Sequence, residues 1–236
     1  MTLLELVKHL RESILDDTGG TGVVWEDLDE DNVDSSQLRW TNEELTNLIN
    51  EAILQVHRRI LLIKDASGDY DITVGSGDSD YALDDRIIRI KGAKLVSNGK
   101  QLVRAEIEDL WGLDDWDGKV ATPTSYVVDY ETGGFKLYPI PVVDDTVKLL
   151  VYRTETNPLV WASNSVSPEM TTRYQIPMLN YAAHLAYNKD EANTFDPKRS
   201  EFLLALFTRE FPGISAYSEV RRSRTSHRGI RYRDVI

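Results

Sequence analysis

The apolar residues of this chain repeat at two different periods, and the order of those periods limits what it can fold into. Leu3, Val7, Leu10 and Ile14 recur at three- and four-residue steps, the spacing that lines one face of a helix. Leu45, Leu48, Ile49, Ala52, Ile53, Val56, Ile60 and Ile63 draw a second, longer stripe. From Gly68 the period becomes two. Tyr70, Ile72 and Val74 alternate with polar residues. Strands over 86–96 and 101–105 are expected to meet across Asn98-Gly99, a dipeptide suited to the positive φ angles of a tight hairpin. Residues 126–130 and 135–138 flank Gly133-Gly134 in the same way, and 146–152 adds a further strand. After Pro168 the helical period returns with Ile176, Leu179, Ala183 and Ala186. Asp196 and Pro197 then supply a cap and first-turn pair for a helix carrying Phe202, Leu203, Leu206 and Phe207.

Helix starts are marked twice more. Thr2 with Glu5 and Thr41 with Glu44 are capping boxes, and Trp40 and Leu45 stand at the positions of a hydrophobic staple. This order of elements predicts an α+β chain. Residues 1–66 and 168–212 form a helical bundle, 67–160 form an inserted antiparallel β module built as a compact sandwich or barrel, and 213–236 form an extended basic C-terminal arm.

Charge is divided unevenly. Residues 221–236 hold six arginines and one acid, Asp234, giving +5 on a chain of net −12, so the preceding 220 residues carry −17. Such block asymmetry marks an interaction tail. An acidic body argues against general duplex binding, which needs cations facing phosphates, although a basic tail alone is also a pattern of nucleic-acid binders. With no cysteine, neither disulfides nor thiolate metal sites can brace the fold. Glu5, Lys8 and His9 interrupt the apolar residues of the amino terminus, unlike a secretion signal. No apolar run approaches the roughly 20 residues needed to span a bilayer, so no membrane association is expected.

Local signatures of catalysis are missing from the sequence. There is no G-x-S-x-G elbow and no G-x-x-x-x-G-K-[ST] phosphate loop. Residues 16–39 are acidic, and Asp27, Asp29 and Asp31 imitate the start of an EF-hand loop. Asn32 and Leu38 then replace its required glycine and glutamate, so this stretch reads as a solvated acidic loop. His9, His57, His184 and His227 fall in separate elements without zinc-site spacing; His57 and His184 read as border residues of buried helix faces. Asp84-Asp85, Asp114-Asp115 and Asp144-Asp145 are read as solvated turns. The expectation is a non-enzyme without metal or cofactor. Trp111 and Trp116, in a stretch with no clean period, are candidates for core packing or for an interface with a neighbouring subunit or tail component.

Several segments resemble, in order, the head-to-tail adaptor or connector proteins of tailed bacteriophages. They are Thr2-Leu3-Leu4-Glu5-Leu6, Trp40-Thr41-Asn42-Glu43-Glu44-Leu45 with Ile49-Asn50-Glu51-Ala52, and Tyr81-Ala82-Leu83-Asp84. Leu137-Tyr138-Pro139-Ile140-Pro141, Val151-Tyr152 and Asn180-Tyr181-Ala182-Ala183-His184-Leu185-Ala186-Tyr187 follow. The resemblance implies a virion protein of the neck, at the portal vertex, assembled in the bacterial cytoplasm. It implies a homo-oligomeric ring of twelve copies that contacts the portal protein and a tail or nozzle protein, with genomic DNA passing through unbound. Arg221, Arg222, Arg224, Arg228, Arg231, Tyr232 and Arg233 would then be the portal-binding arm. Three alternatives stay open at this point: a tail-completion or neck protein on a different ring, a nucleic-acid-binding module using the arm and, last, a divalent-dependent hydrolase using the acidic loop.

Overall fold

The computed structural model describes residues 1–17, 38–113, 115–189 and 195–213. The residues up to Ile60 and from Asn157 onward form one compact unit, and Leu61–Thr156 form another. Together they make a mixed α+β protein with five α-helices and one curled, mainly antiparallel sheet among the described residues.

Helix α1, Leu3–His9, starts at the Thr2 capping box: the Glu5 amide donates to Thr2 and the Thr2 amide donates to the Glu5 carboxylate. It runs on as a π-helical turn, Leu10–Leu15, and stops at Asp16 in the left-handed region. Helix α2, Asn42–Ile60, opens on the second box, with the Thr41 amide donating to Glu44 at 2.8 Å and the Glu44 amide to Thr41 at 3.1 Å. Its buried face is the expected stripe from Leu45 to Ile60.

The stripe overshoots, however. Leu61 has φ +50° and ends the helix, and Ile63 belongs to a strand. A three-residue step cannot distinguish one more helical turn from a new element, and here pairing with a distant strand decides.

Two further helices, α4 (Thr172–Tyr187) and α5 (Pro197–Glu210), follow the β unit, after the short α3 described below. Asp196 caps α5 by accepting from the Arg199 amide, and Pro197 fills its first turn. Helix α4 packs against α1, α2, α5 and the π turn. The Tyr187 hydroxyl donates to the Leu15 carbonyl at 2.9 Å, and its ring meets Trp40 edge-on at 5.8 Å. Leu179, Ala183 and Ala186 on α4 and Leu203 and Phe207 on α5 are buried as expected, but Ile176 and Phe202 face solvent, and Tyr174, Met178 and Ala182 complete the buried face of α4. His57 is fully buried rather than at a border, whereas half-buried His184 shares a 2.7 Å hydrogen bond with Ser200.

A buried ion pair joins the end of the first helical segment to the residues that lead into α2. Arg11, 0% exposed, bonds to Asp17, 2% exposed. It also donates to the Trp40 carbonyl at 2.7 Å and the Asn42 side-chain oxygen at 2.9 Å. Asp17 accepts from the Arg39 amide at 2.9 Å.

The β unit contains β1 (Ile63–Asp65), β2 (Ile72–Val74), β3 (Asp80–Ala82), β4 (Ile87–Leu95), β5 (Gln101–Arg104), β6 (Ser125–Val128), β7 (Gly134–Tyr138) and β8 (Asp145–Arg153). Helix α3, Ile107–Trp111, lies on the β5–β6 connection. Strand order is β1-β8-β4-β5-β6-β7-β3, with β2 also on β8, and only β5–β6 is parallel. The hairpins at Asn98-Gly99 and Gly133-Gly134 form as expected, with Gly99 at φ +66° and Gly133 at φ +71°.

The sheet curls. Gly77 donates to the Pro141 carbonyl at 2.9 Å, and Leu137 donates to Ser79 at 2.8 Å, tying the β2–β3 turn to the strands at the far end of the order. Its inner face holds one buried apolar cluster drawn from six of the strands, including Val74, Ile90, Leu95, Leu102, Phe135 and Val147, with Tyr81 of β3 packed against it. A single sheet wrapped on itself, not a two-layer sandwich, therefore encloses the core.

Candidate interaction surfaces

The portal-binding candidates Arg221, Arg222, Arg224, Arg228, Arg231, Tyr232 and Arg233 lie outside the described residues, as do Asp27, Asp29 and Asp31. The point from which the C-terminal segment departs is described, and it is anchored. Phe211 is fully buried, its ring 4.9 Å from Phe207 and 5.8 Å from Tyr174. Its carbonyl accepts from the Arg59 guanidinium at 3.0 Å. Helix α5 thus ends at a rigid base, with Pro212 and Gly213 beyond it.

The two tryptophans of the β unit have different surroundings. Trp116 is half-buried and packs edge-on against Tyr130 at 6.1 Å. The ammonium of Lys136 sits 5.6 Å from the Trp116 ring centre and 4.9 Å from that of Tyr130. It also donates to both oxygens of Asp80 at 2.9 Å, so β3, β7 and the Trp116 loop are joined through one cation. Asp80 is pulled below its usual range: burial opposes the shift, and hydrogen bonds from Ser79 and Lys136 outweigh it. A shallow cavity of about 250 Å³, lined by Tyr81, Tyr130, Gly133 and Lys136 among others, opens beside this cluster. Trp111, by contrast, is 61% exposed at the end of α3, next to exposed Leu113. Trp116 is thus packed against its own unit, whereas the Trp111 side chain is largely exposed.

Of the three carboxylate pairs, Asp114 lies outside the described residues, and Asp84, Asp144 and Asp145 are engaged in hydrogen bonds. Asp84 receives the Arg86 guanidinium at 2.9 and 2.6 Å and the Arg86 amide at 2.9 Å, which hold it down at about 2. Asp144 accepts from the Ser76 amide at 2.8 Å, and Asp145 from Ser97 and Thr146. Among the described residues there is no group of three or more histidines and acids placed to hold a metal ion. Among them, too, no helix is long and apolar enough to cross a membrane.

One surface escaped the sequence reading. Arg89, Lys91 and Lys94 on β4, Lys64 on β1 and Lys148 on β8 occupy outward positions of three adjacent strands. Alternating cations in Arg89-Ile90-Lys91 were a visible signal, but only the β4–β8 register sets Lys94 opposite Lys148.

No curated protein matches this chain. A family profile described as SU10 adaptor protein matches residues 1–232, nearly the whole length, in agreement with the phage head-to-tail adaptor resemblance. The chain belongs to the SU10 adaptor protein family.

Proposed function

We propose that this protein is a non-enzymatic structural component of a phage particle, forming a ring of twelve copies between portal and tail at the virion neck. The observation that carries the reading is the family match through residue 232, which takes in Arg221, Arg222, Arg224, Arg228, Arg231 and Tyr232. The matched span thus includes all but the last four residues of the basic end.

In this reading α1, α2, α4 and α5 form the bundle, and the arm extends from the anchored end of α5 to the portal. Arginine suits that task because its planar guanidinium forms paired, charge-assisted hydrogen bonds with carboxylates. The remaining −17 per copy repels phosphate wherever its acids face the channel, so genomic DNA passes without being held. The β unit and Trp111 meet neighbours in the assembly, either the next copy or a tail or nozzle protein.

The test is co-sedimentation with isolated portal rings, using the full chain and a chain ending at Tyr217. The shortened protein is expected to keep its circular dichroism spectrum and lose portal binding. Equal binding by both would remove the arm from this account.

A further inference from the structure

The outward face of β1, β8 and β4 is a patch of positive charge on an acidic protein. Lys64, Arg89, Lys91 and Lys94 are exposed, and Lys148 is half-buried among them. Register places Lys64 and Arg89 on either side of Tyr152, and Lys94 directly opposite Lys148. The Lys91 ammonium lies 6.0 Å from the Tyr152 ring centre, on the same face. The other outward positions of β8 are Thr146 and Leu150, so the central strand adds no carboxylate. None of these five cations forms an ion pair among the described residues.

Like charges directly opposite on neighbouring strands destabilise a sheet. Among the described residues neither Lys94 nor Lys148 forms an ion pair, and the Asp71 carboxylate is engaged by the Leu149 amide at 2.9 Å. A face that lowers the stability of the isolated chain in this way is explained if it meets negative charge in an assembly.

The complementary charge lies on the same unit. The β5–β6 connection exposes Glu108, Asp109, Asp115 and Asp117, with Trp111 and Leu113 exposed between them. None of these four acids is paired with the basic face within the chain. We infer that the β1–β8–β4 face of one copy docks the acidic β5–β6 connection of a second copy, with Trp111 as its apolar anchor. Because the two surfaces differ, the contact is head-to-tail, and repetition of such a contact closes a ring when its rotation allows. A second copy is favoured over DNA because the complementary acids lie on the same unit beside the exposed Trp111 and Leu113, which give an apolar anchor. This inference rests on the ring reading above but uses surfaces distinct from the arm.

The experiment compares the full chain with three variants: Lys91→Glu/Lys148→Glu, Glu108→Lys/Asp109→Lys, and the four changes combined. Assembly is read by native mass spectrometry at low and high salt and by the number of copies bound per portal ring. Each double variant is expected to weaken copy–copy assembly by about tenfold or more, as loss of complementary interfacial charge does. The fourfold exchange restores it, because opposite charges again face each other. Fold is checked separately: each variant is expected to keep the circular dichroism spectrum and a cooperative urea transition of the unaltered chain. Carbodiimide cross-links between copies should join Lys94 or Lys148 to Glu108 or Asp109.

Unchanged assembly in the double variants overturns the inference. So does a fourfold variant that folds but does not recover, an unaltered chain that stays monomeric alone and on portal, or a loss confined to DNA binding. Copy–copy assembly that survives without any portal binding would sink the portal reading and leave this interface standing.

Discussion

Replacing Asp17 by alanine tests whether the buried Arg11–Asp17 pair holds the start of the helical unit together. In the native chain Arg11 is 0% exposed and Asp17 is 2% exposed. Burial already pulls the Arg11 guanidinium below its ordinary pKa, with Asp17 the main influence opposing that shift. Without the carboxylate, the guanidinium keeps only neutral acceptors, the Trp40 carbonyl at 2.7 Å and the Asn42 side chain at 2.9 Å. Removing one member of a buried ion pair costs about 3–5 kcal/mol. The Arg39 amide also loses its 2.9 Å acceptor, adding about 1 kcal/mol.

The expected loss is therefore about 4–6 kcal/mol from these two terms, a large share of a typical domain's stability. Since the chain has two compact units, a single global transition is not assumed. Urea titration should be followed by hydrogen exchange in peptides from α1 and α2, with peptides from β4 and β8 as the internal reference. Replacing both partners, Arg11→Met with Asp17→Leu, should be much milder because no charge stays buried. The reasoning is refuted if Asp17→Ala loses less than about 1 kcal/mol, the scale of an ordinary substitution, or if the double replacement is as damaging as the single one.

Acid should loosen the β unit through two carboxylates. Asp65 is held down at about 2, first by the Ser67 amide and then by Arg153, and Asp84 is held at about 2, chiefly by the Arg86 side chain. Both folded values are depressed, so their contribution is complete above about pH 4 and is lost as pH falls through about 2. Asp65→Asn with Asp84→Asn should flatten the acid limb of a stability–pH curve followed in β8 peptides; an unchanged limb would contradict the assignment. Phe207 is fully buried between Tyr181 at 4.8 Å and Phe211 at 4.9 Å, under the Arg59 guanidinium. Phe207→Ala should cost about 3–5 kcal/mol in urea unfolding, whereas Phe202→Ala, at a position 62% exposed, should stay within about 0.5 kcal/mol. Equal costs would mean that α5 buries its other face.

Local chemistry by itself determined where the elements begin and which period they follow. The two threonine–glutamate boxes, the Asp196-Pro197 start and the glycine turns at 99 and 133 act through neighbours within a few residues, so they are readable in one dimension. The block of arginines is likewise a property of composition. Tertiary structure alone decided that α2 stops at Ile60 and that Ile63 pairs with Arg153. It also decided that Trp116 packs while Trp111 stays exposed. Arg11 and Asp17 become a buried pair, and Lys94 faces Lys148 across two strands more than fifty residues apart, for the same reason. Burial and cross-strand register depend on which distant segments share a core, and no local spacing encodes that partnership.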